Sequence, residues 1–301
     1  MFSMKIFKLL KYAGILTVRT FYAFFLSCIY LNKQKYPSSV FFNLALILPV
    51  FFDYQDLQGL KFQGSVEQSI KTSALMLLED ILLDDENITI KDLQNMFTSP
   101  TSFQAKSNSE KLTKNLAINL WFVLSEKHIG LLKDLNQAQI EATRNDNFKD
   151  FYQASYNKGL WYPALAYSFN PKMNSAEIET LTLLGFWIKC VDDLVDIDED
   201  RDSQTTTIYT HLETDLIANA HLDKLRLEVF NKISKLDYSD KKIKLFLYRT
   251  SISVCTFKLY SEFRKKLPAW YSKLSDKFLP FQVINLLLAS LIGLPSLIKI
   301  D

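Results

Sequence analysis

From residue 5 onward, apolar positions recur every three or four residues over long stretches with little turn punctuation between them. This is the period of helices that bury one face. Runs near 5–32, 38–58 and 65–83 read as the first three helices. The third is entered through Ser65-x-x-Gln68, the spacing of a capping box, after a turn over Lys61 to Gly64. Residues 84–110 break the pattern: DDEN, a short DLQNMF segment and SPTSFQAKSNSE predict a polar, irregular surface connection and a candidate flap. Ser107-x-x-Glu110 then opens a helix carrying Leu112, Leu116, Leu120, Val123 and Leu124, and another follows over 129–143. An aromatic segment, GLWYPALAYSFNP at 159–171, ends in Asn-Pro, after which Asn174-x-x-Glu177 caps a long apolar helix. Helices near 205–220, 222–236, 239–266 and 270–290 complete the chain. Neither a repeat nor a linker interrupts it, so one all-α domain over 1–301 is expected, with 1–37 set apart as a candidate peripheral helix.

Composition agrees with the pattern. The 301 residues are 48% hydrophobic and include only seven glycines and eight prolines, which favours helices over a many-stranded sheet. Thirty-five basic residues against 33 acidic ones leave a net charge of +2, so no field argues for nucleic acid. Cys28, Cys190 and Cys255 are odd in number, far apart and set among apolar residues, which suits reduced thiols of a cytoplasmic protein. The run at 21–31, FYAFFLSCIYL, is too short to span a bilayer, and Arg19 precedes it. The apolar stretch 278–300 carries Gln282, Asn285 and two prolines and reads as a buried terminal helix, with lipid insertion as the alternative. Lys5, Lys8, Lys11 and Arg19 beside Phe7, Leu9, Leu10 and Ile15 leave two choices open, a helix packed on the domain or a peripheral contact with an anionic membrane.

Candidate chemistry concentrates in GFWIKCVDDLVDIDEDRD, residues 185–202, which places seven acids at the end of the long apolar helix. On a wheel of about 100° per residue, Asp192, Asp196 and Glu199 share the stripe of Leu181, Gly185 and Ile188 and are expected to point inward. Buried carboxylates either neutralise or bind a cation. An ordinary solvated helix exit is the alternative. A second acidic pair, Asp53 and Asp56, closes the apolar run LALILPVFFDYQD, three apart and therefore on one face.

These two stretches resemble the aspartate-rich motifs of class I isoprenoid (terpene) synthases, and most nearly those of the tetraprenyl-β-curcumene or large-terpene synthase family. Asp53, Tyr54 and Asp56 match the first motif, and Asp192, Asp196, Glu199, Asp200 and Arg201 the second; Trp161 and Tyr162 stand where that family has an aromatic segment. The resemblance implies a single large helical bundle around a central apolar cavity. It also implies a cluster of Mg²⁺, three ions with substrate bound, held by Asp53, Asp56, Asp192, Asp196 and Asp200 against a prenyl diphosphate. Of these, Asp53, Asp56, Asp192 and Asp196 are the expected catalytic residues. Lys61, Arg201 and Arg249 are expected to hold diphosphate oxygens, and Phe52, Tyr162 and Trp187 to line the cavity where cation–π attraction steers a carbocation. Two departures stand out. Leu60 and Lys61 replace an acid and an arginine of the first motif, and Asp193 replaces an aromatic residue of the second.

The expected function is therefore Mg²⁺-dependent ionisation of a linear prenyl diphosphate, followed by cyclisation or elimination. The DDxxD at 192–196 keeps open a prenyltransferase of the squalene, phytoene or chain-elongating kind. The other alternative is a non-catalytic helical protein associated with membranes, and a homodimer also stays open. Asp193, Asp198 and Asp202 are expected to be surface charge, and Glu199 is left between metal ligand and helix-end partner. Lys189 is expected only to pair with Asp193, and His128, His211 and His221 have no metal-ligand spacing and read as structural or exposed.

Overall fold

In a computed structural model, residues 2–31, 36–59, 66–84, 88–144, 147–202, 204–211, 215–265 and 268 are described. Lys61, Ser65 and the stretch 270–301, with the helix expected at 270–290, lie outside them. The described chain is all-α, with no strand among these residues. Its helices are α1 (Phe2–Tyr30), α2 (Ser38–Gln58), α3 (Val66–Asp84), α4 (Ile90–Thr98), α5 (Asn108–Val123) and α6 (Glu126–Arg144). They continue as α7 (Phe148–Lys158), α8 (Trp161–Tyr167), α9 (Ser175–Val195), α10 (Ile197–Asp202), α11 (Asp215–Ile233) and α12 (Asp240–Lys265). No helix of the described residues is long and apolar enough to cross a membrane.

Contacts divide the chain into two compact units where the sequence suggested one domain. The first comprises 1–29, 41–59 and 238–301, the second 30–40 and 60–237. In the first unit α2 lies against α1 and α12. Phe41, Leu44, Leu48, Phe51 and Leu57 are buried along it, and over Phe51–Gln55 every side chain is buried, so this stretch is enclosed on all sides before Asp56 returns to the surface. Tyr22 of α1 meets Phe52 with ring centroids 6.2 Å apart, and Phe246 of α12 meets Tyr54 edge-on at 6.4 Å. Each ring that is fully buried stabilises the unit by roughly 1.5–3 kcal/mol.

The second unit is organised around α9, which packs against α7, α8 and α11 and runs on into α10; α6 joins α7, α8 and α4, and α3 joins α5 and α8. Two of the predicted capping boxes form. Ser107 and Glu110 close the start of α5, and Asn174 and Glu177 the start of α9. The polar stretch 84–110 is not a loose connection throughout. Thr89 caps α4, whose Leu93, Met96 and Phe97 are buried, so its apolar spacing outweighs the polar residues around it. The helices expected at 205–220 and 222–236 are instead a turn over 204–211 and one helix, α11.

The long helix is held in place by two glycines. Gly185 of α9 lies against the α7–α8 junction: a Cβ there would sit 2.3 Å from the Gly159 carbonyl oxygen and 2.9 Å from Tyr162 Cβ. Trp161 Nε1 donates to the Gly185 carbonyl at 3.1 Å across the same crossing. Gly185→Ala forces α9 off α8 and is expected to cost about 3 kcal/mol. Urea denaturation checks this, and a loss under about 1 kcal/mol would mean that the two helices separate freely.

Candidate functional site

The acid pair of α2 is a four-charge cluster. Asp53 has no exposed side-chain surface and Asp56 is half exposed, at 50%. Arg19 of α1 donates from Nη1 to Asp53 Oδ1 at 2.5 Å and from Nη2 to Asp56 Oδ2 at 2.8 Å. Arg249 of α12 reaches the same two oxygens from Nη1, at 3.3 and 2.5 Å. A buried carboxylate is tolerable only when paired and hydrogen-bonded, and Asp53 has two guanidiniums on one oxygen. Burial works to lower the Arg19 pKa, but Asp53 and Asp56 outweigh it and hold the guanidinium above its ordinary value. Arg249 was expected at the site; Arg19 was not, and α1 thereby contributes to the cluster as well as covering it.

The second acidic stretch lies in the other unit. Residues 180–187 of α9 are buried on all sides. Beyond them the helix buries one side, and the pairing of acids is the reverse of the wheel's. Asp193, expected at the surface, is buried at 7% exposure, whereas the Asp192 side chain is 35% exposed. Lys189 bridges them, its Nζ 3.0 Å from Asp192 Oδ2 and 3.0 Å from Asp193 Oδ1. Burial acts to lower the Lys189 pKa, and Asp193 and then Asp192 raise it well above its usual value. The predicted Lys189–Asp193 pair is therefore present, with Asp192 added.

Asp196 caps α9 with φ −97° and ψ 8°, and α10 starts immediately after it. Asp196 and Asp200 are half-buried, on the same i, i+4 line as Asp192, and the Asp200 amide donates to the Asp196 carbonyl at 2.9 Å. Asp198 and Asp202 are exposed, as expected. Arg201 Nη1 lies 3.9 Å from Asp198 Oδ1. The Glu199 side chain, like Lys61, lies outside what the structure describes.

The three aromatic candidates are buried. Phe52 belongs to the first unit, while Tyr162 and Trp187 belong to the second. Trp187 stands edge-on to Phe230 of α11 with centroids 6.0 Å apart.

The histidines are structural. His128 Nε2 bonds the Ala164 carbonyl at 2.7 Å, and burial lowers its pKa to about 4, against the opposing pull of that bond. His211 packs against the rings of Phe148 and Phe151. His221, read as structural or exposed, links three elements: its Nε2 meets Tyr152 Oη at 3.0 Å and its Nδ1 meets Tyr209 Oη at 3.2 Å. Tyr209 continues the chain of hydrogen bonds to Cys190 on α9, whose thiol burial pushes up. Among the described residues, neither Cys28 nor Cys190 is joined in a disulfide. Beside this chain an open groove of about 480 Å³ runs along α7, lined by Phe148, Lys149, Asp150, Tyr152 and Gln153.

Among the described residues, no three of His, Cys, Asp and Glu lie close enough together to hold a metal ion. Asp53 and Asp56 offer two carboxylates, which does not make a cage for a bare Mg²⁺. Two carboxylates do fit a magnesium that arrives with phosphate, because such an ion takes its remaining oxygens from phosphate and water. Comparison with protein-family models, with curated proteins and with solved structures finds no match.

Proposed function

We propose that the chain is a class I terpene synthase that ionises a linear prenyl diphosphate to an allylic carbocation and releases diphosphate as the cation cyclises or eliminates. One observation carries this: in the α2 cluster each of two carboxylates lies within 3.3 Å of each of two guanidiniums, at the end of an apolar helix. Carboxylates suit a cation and guanidinium forks suit diphosphate oxygens. With neither ligand present, the four groups satisfy each other.

In this reading Arg19 and Arg249 turn from the aspartates to the diphosphate, and Arg201 and Lys61 add positive charge beside the motifs. Asp53 and Asp56 of the α2 cluster would hold magnesium, which when bound would neutralise charge building on the leaving diphosphate; Asp192, Asp196 and Asp200, in the other unit, take the same role through the resemblance of their motif alone. Phe52 of the first unit, and Tyr162 and Trp187 of the second, are the rings that the resemblance assigns to a dry cavity wall facing the cation.

The same observation also favours a second reading, in which the chain is not an enzyme. The cluster is charge-balanced as it stands, and its four groups would then serve only to lock three helices together. The prenyltransferase alternative draws less from the structure, since Asp193, which suggested it, is buried against Lys189.

Incubation with geranyl, farnesyl, geranylgeranyl and geranylfarnesyl diphosphate in the presence of Mg²⁺ distinguishes these. A terpene synthase releases diphosphate from one of them without a co-substrate, and Asp53→Asn or Asp192→Asn lowers the rate by about a hundredfold or more. Product that appears only with isopentenyl diphosphate would identify a prenyltransferase. No turnover on any of the four sinks the catalytic reading.

A further inference from the structure

Among the described residues, the outer face of α1 is apolar and exposed. Val18, Phe21, Phe25 and Ile29 are 68%, 44%, 61% and 57% exposed. Their spacing of three and four places them in one stripe, about 17 Å long at 1.5 Å per residue. The opposite face holds Thr20, Ala23, Leu26 and Ser27, all buried, so the stripe is not the core-facing side of the helix. From Thr20 to Leu31 the sequence has no charged residue. Exposed apolar residues scattered singly need no explanation, but a continuous stripe of this length marks a surface that meets something.

Charge says what that is. The first 52 residues contain no acid and six basic residues, Lys5, Lys8, Lys11, Arg19, Lys33 and Lys35, while the rest of the chain has 29 basic residues against 33 acidic ones. Arg19 is committed to Asp53 and Asp56, which leaves five lysines with no acid in the same segment. A second copy of the chain on this stripe would set those lysines against their own counterparts, a like-charge arrangement that disfavours the pairing. The stripe also exposes on the order of a few hundred Å², short of the ~800 Å² per partner of a stable interface. Aromatic rings on one face with lysines on the same segment are instead the make-up of a helix that lies at an anionic bilayer surface.

We propose that the outer face of α1, from Val18 to Ile29, seats the protein on an anionic lipid bilayer as an interfacial helix lying in the headgroup plane. The helix lies on the membrane and does not cross it. Arg19 is bound to Asp53 on its other side, and α1 is not long and apolar enough to span. The rings enter to about 5–10 Å, the depth reached by such helices. This attachment is independent of catalysis and stands if the terpene synthase reading fails.

Flotation of the full chain with vesicles tests it. Vesicles of phosphatidylcholine mixed with phosphatidylglycerol are expected to bind the protein at least tenfold more than phosphatidylcholine alone, and binding weakens as salt is raised. Serine at Phe21, Phe25 and Ile29 together is expected to lower binding at least tenfold with an unchanged unfolding transition, because these side chains touch water. Glutamine at Lys5, Lys8 and Lys11 is expected to lower binding to anionic vesicles by about a hundredfold while sparing the residual binding to neutral ones. Equal binding by the wild type and the triple-serine variant overturns the proposal. So does sedimentation velocity in which the triple-serine variant turns a dimer into a monomer while vesicle binding is unchanged, an outcome that assigns the stripe to a second copy.

Discussion

Arg19→Ala is expected to lower the unfolding free energy by about 3 kcal/mol or more, far beyond the effect of losing a surface ion pair. Asp53 has no exposed side-chain surface, and its Oδ1 takes Arg19 at 2.5 Å and Arg249 at 3.3 Å. Removing Arg19 leaves Arg249 to serve both Asp53 and Asp56, and from the side where Asp53 is the more distant partner. A buried carboxylate that loses its nearer cation pays much of its desolvation in full. The double variant Arg19→Met with Asp53→Asn removes both charges together and is expected to lose less than Arg19→Ala alone. Urea denaturation of the two single variants and the double variant gives the coupling; losses that simply add would show that Arg19 and Asp53 act independently and would sink the cluster as a buried unit.

The helical nature of the chain and several helix starts were legible because they depend on near neighbours. Ser107 with Glu110 and Asn174 with Glu177 are three residues apart, and both boxes form. The Asp53–Asp56 pair was legible for the same reason, as neighbours on one face of α2. Their partners were not. Arg19 lies 34 residues from Asp53 and Arg249 lies 196 away, and a single sequence has no pattern that ties such charges together. Arg19 in particular read as the charge that interrupts an apolar run, when in the fold it pairs with Asp53 and Asp56.

The second acidic stretch failed on geometry. The wheel took Leu181, Gly185 and Ile188 as the inner face, but over 180–187 α9 is buried all round, so those residues do not define one. The helix is also interrupted at Asp196, with φ −97° and ψ 8°, although the Asp200 amide still bonds the Asp196 carbonyl and keeps Asp200 in line with Asp192. Burial of Asp193 follows from the side of α9 that faces Cys190 and Tyr209, and Lys189 makes that burial tolerable by folding over it. A structural His221 was legible, but its partners were not, because Tyr152 and Tyr209 lie 69 and 12 residues away on different elements.

Glu79→Gln is expected to stabilise the fold by about 3 kcal/mol at pH 7 and to reverse the shape of its pH dependence below neutrality. Glu79 of α3 is 1% exposed and accepts a hydrogen bond from Asn136 Nδ2 of α6. Burial raises its pKa from 4.5 to about 8; the Asn136 bond and Lys158 oppose the rise, and Asp80 adds to it. The native carboxyl therefore keeps its proton between those values while the unfolded chain has released it. A raised native pKa gives stability that is whole below the unfolded value and is lost as pH climbs through the native one, at about 1.4 kcal/mol per pH step. His128 works the other way. Its pKa falls from 6.5 to about 4, so its contribution is present above 6.5 and is lost as pH drops toward 4. Between 4.5 and 6.5 the unfolded chain holds a proton on His128 and the native chain holds one on Glu79, so the two slopes cancel. These groups give the wild type a plateau there and a decline from 6.5 to 8. Glutamine keeps the acceptor for Asn136 but cannot ionise, which removes the decline and exposes the His128 slope: the variant gains stability from pH 4 to 6.5 and holds it above. Chemical denaturation across pH 4–9 separates the two curves, and parallel curves for wild type and Glu79→Gln would mean that Glu79 is ionised inside the fold.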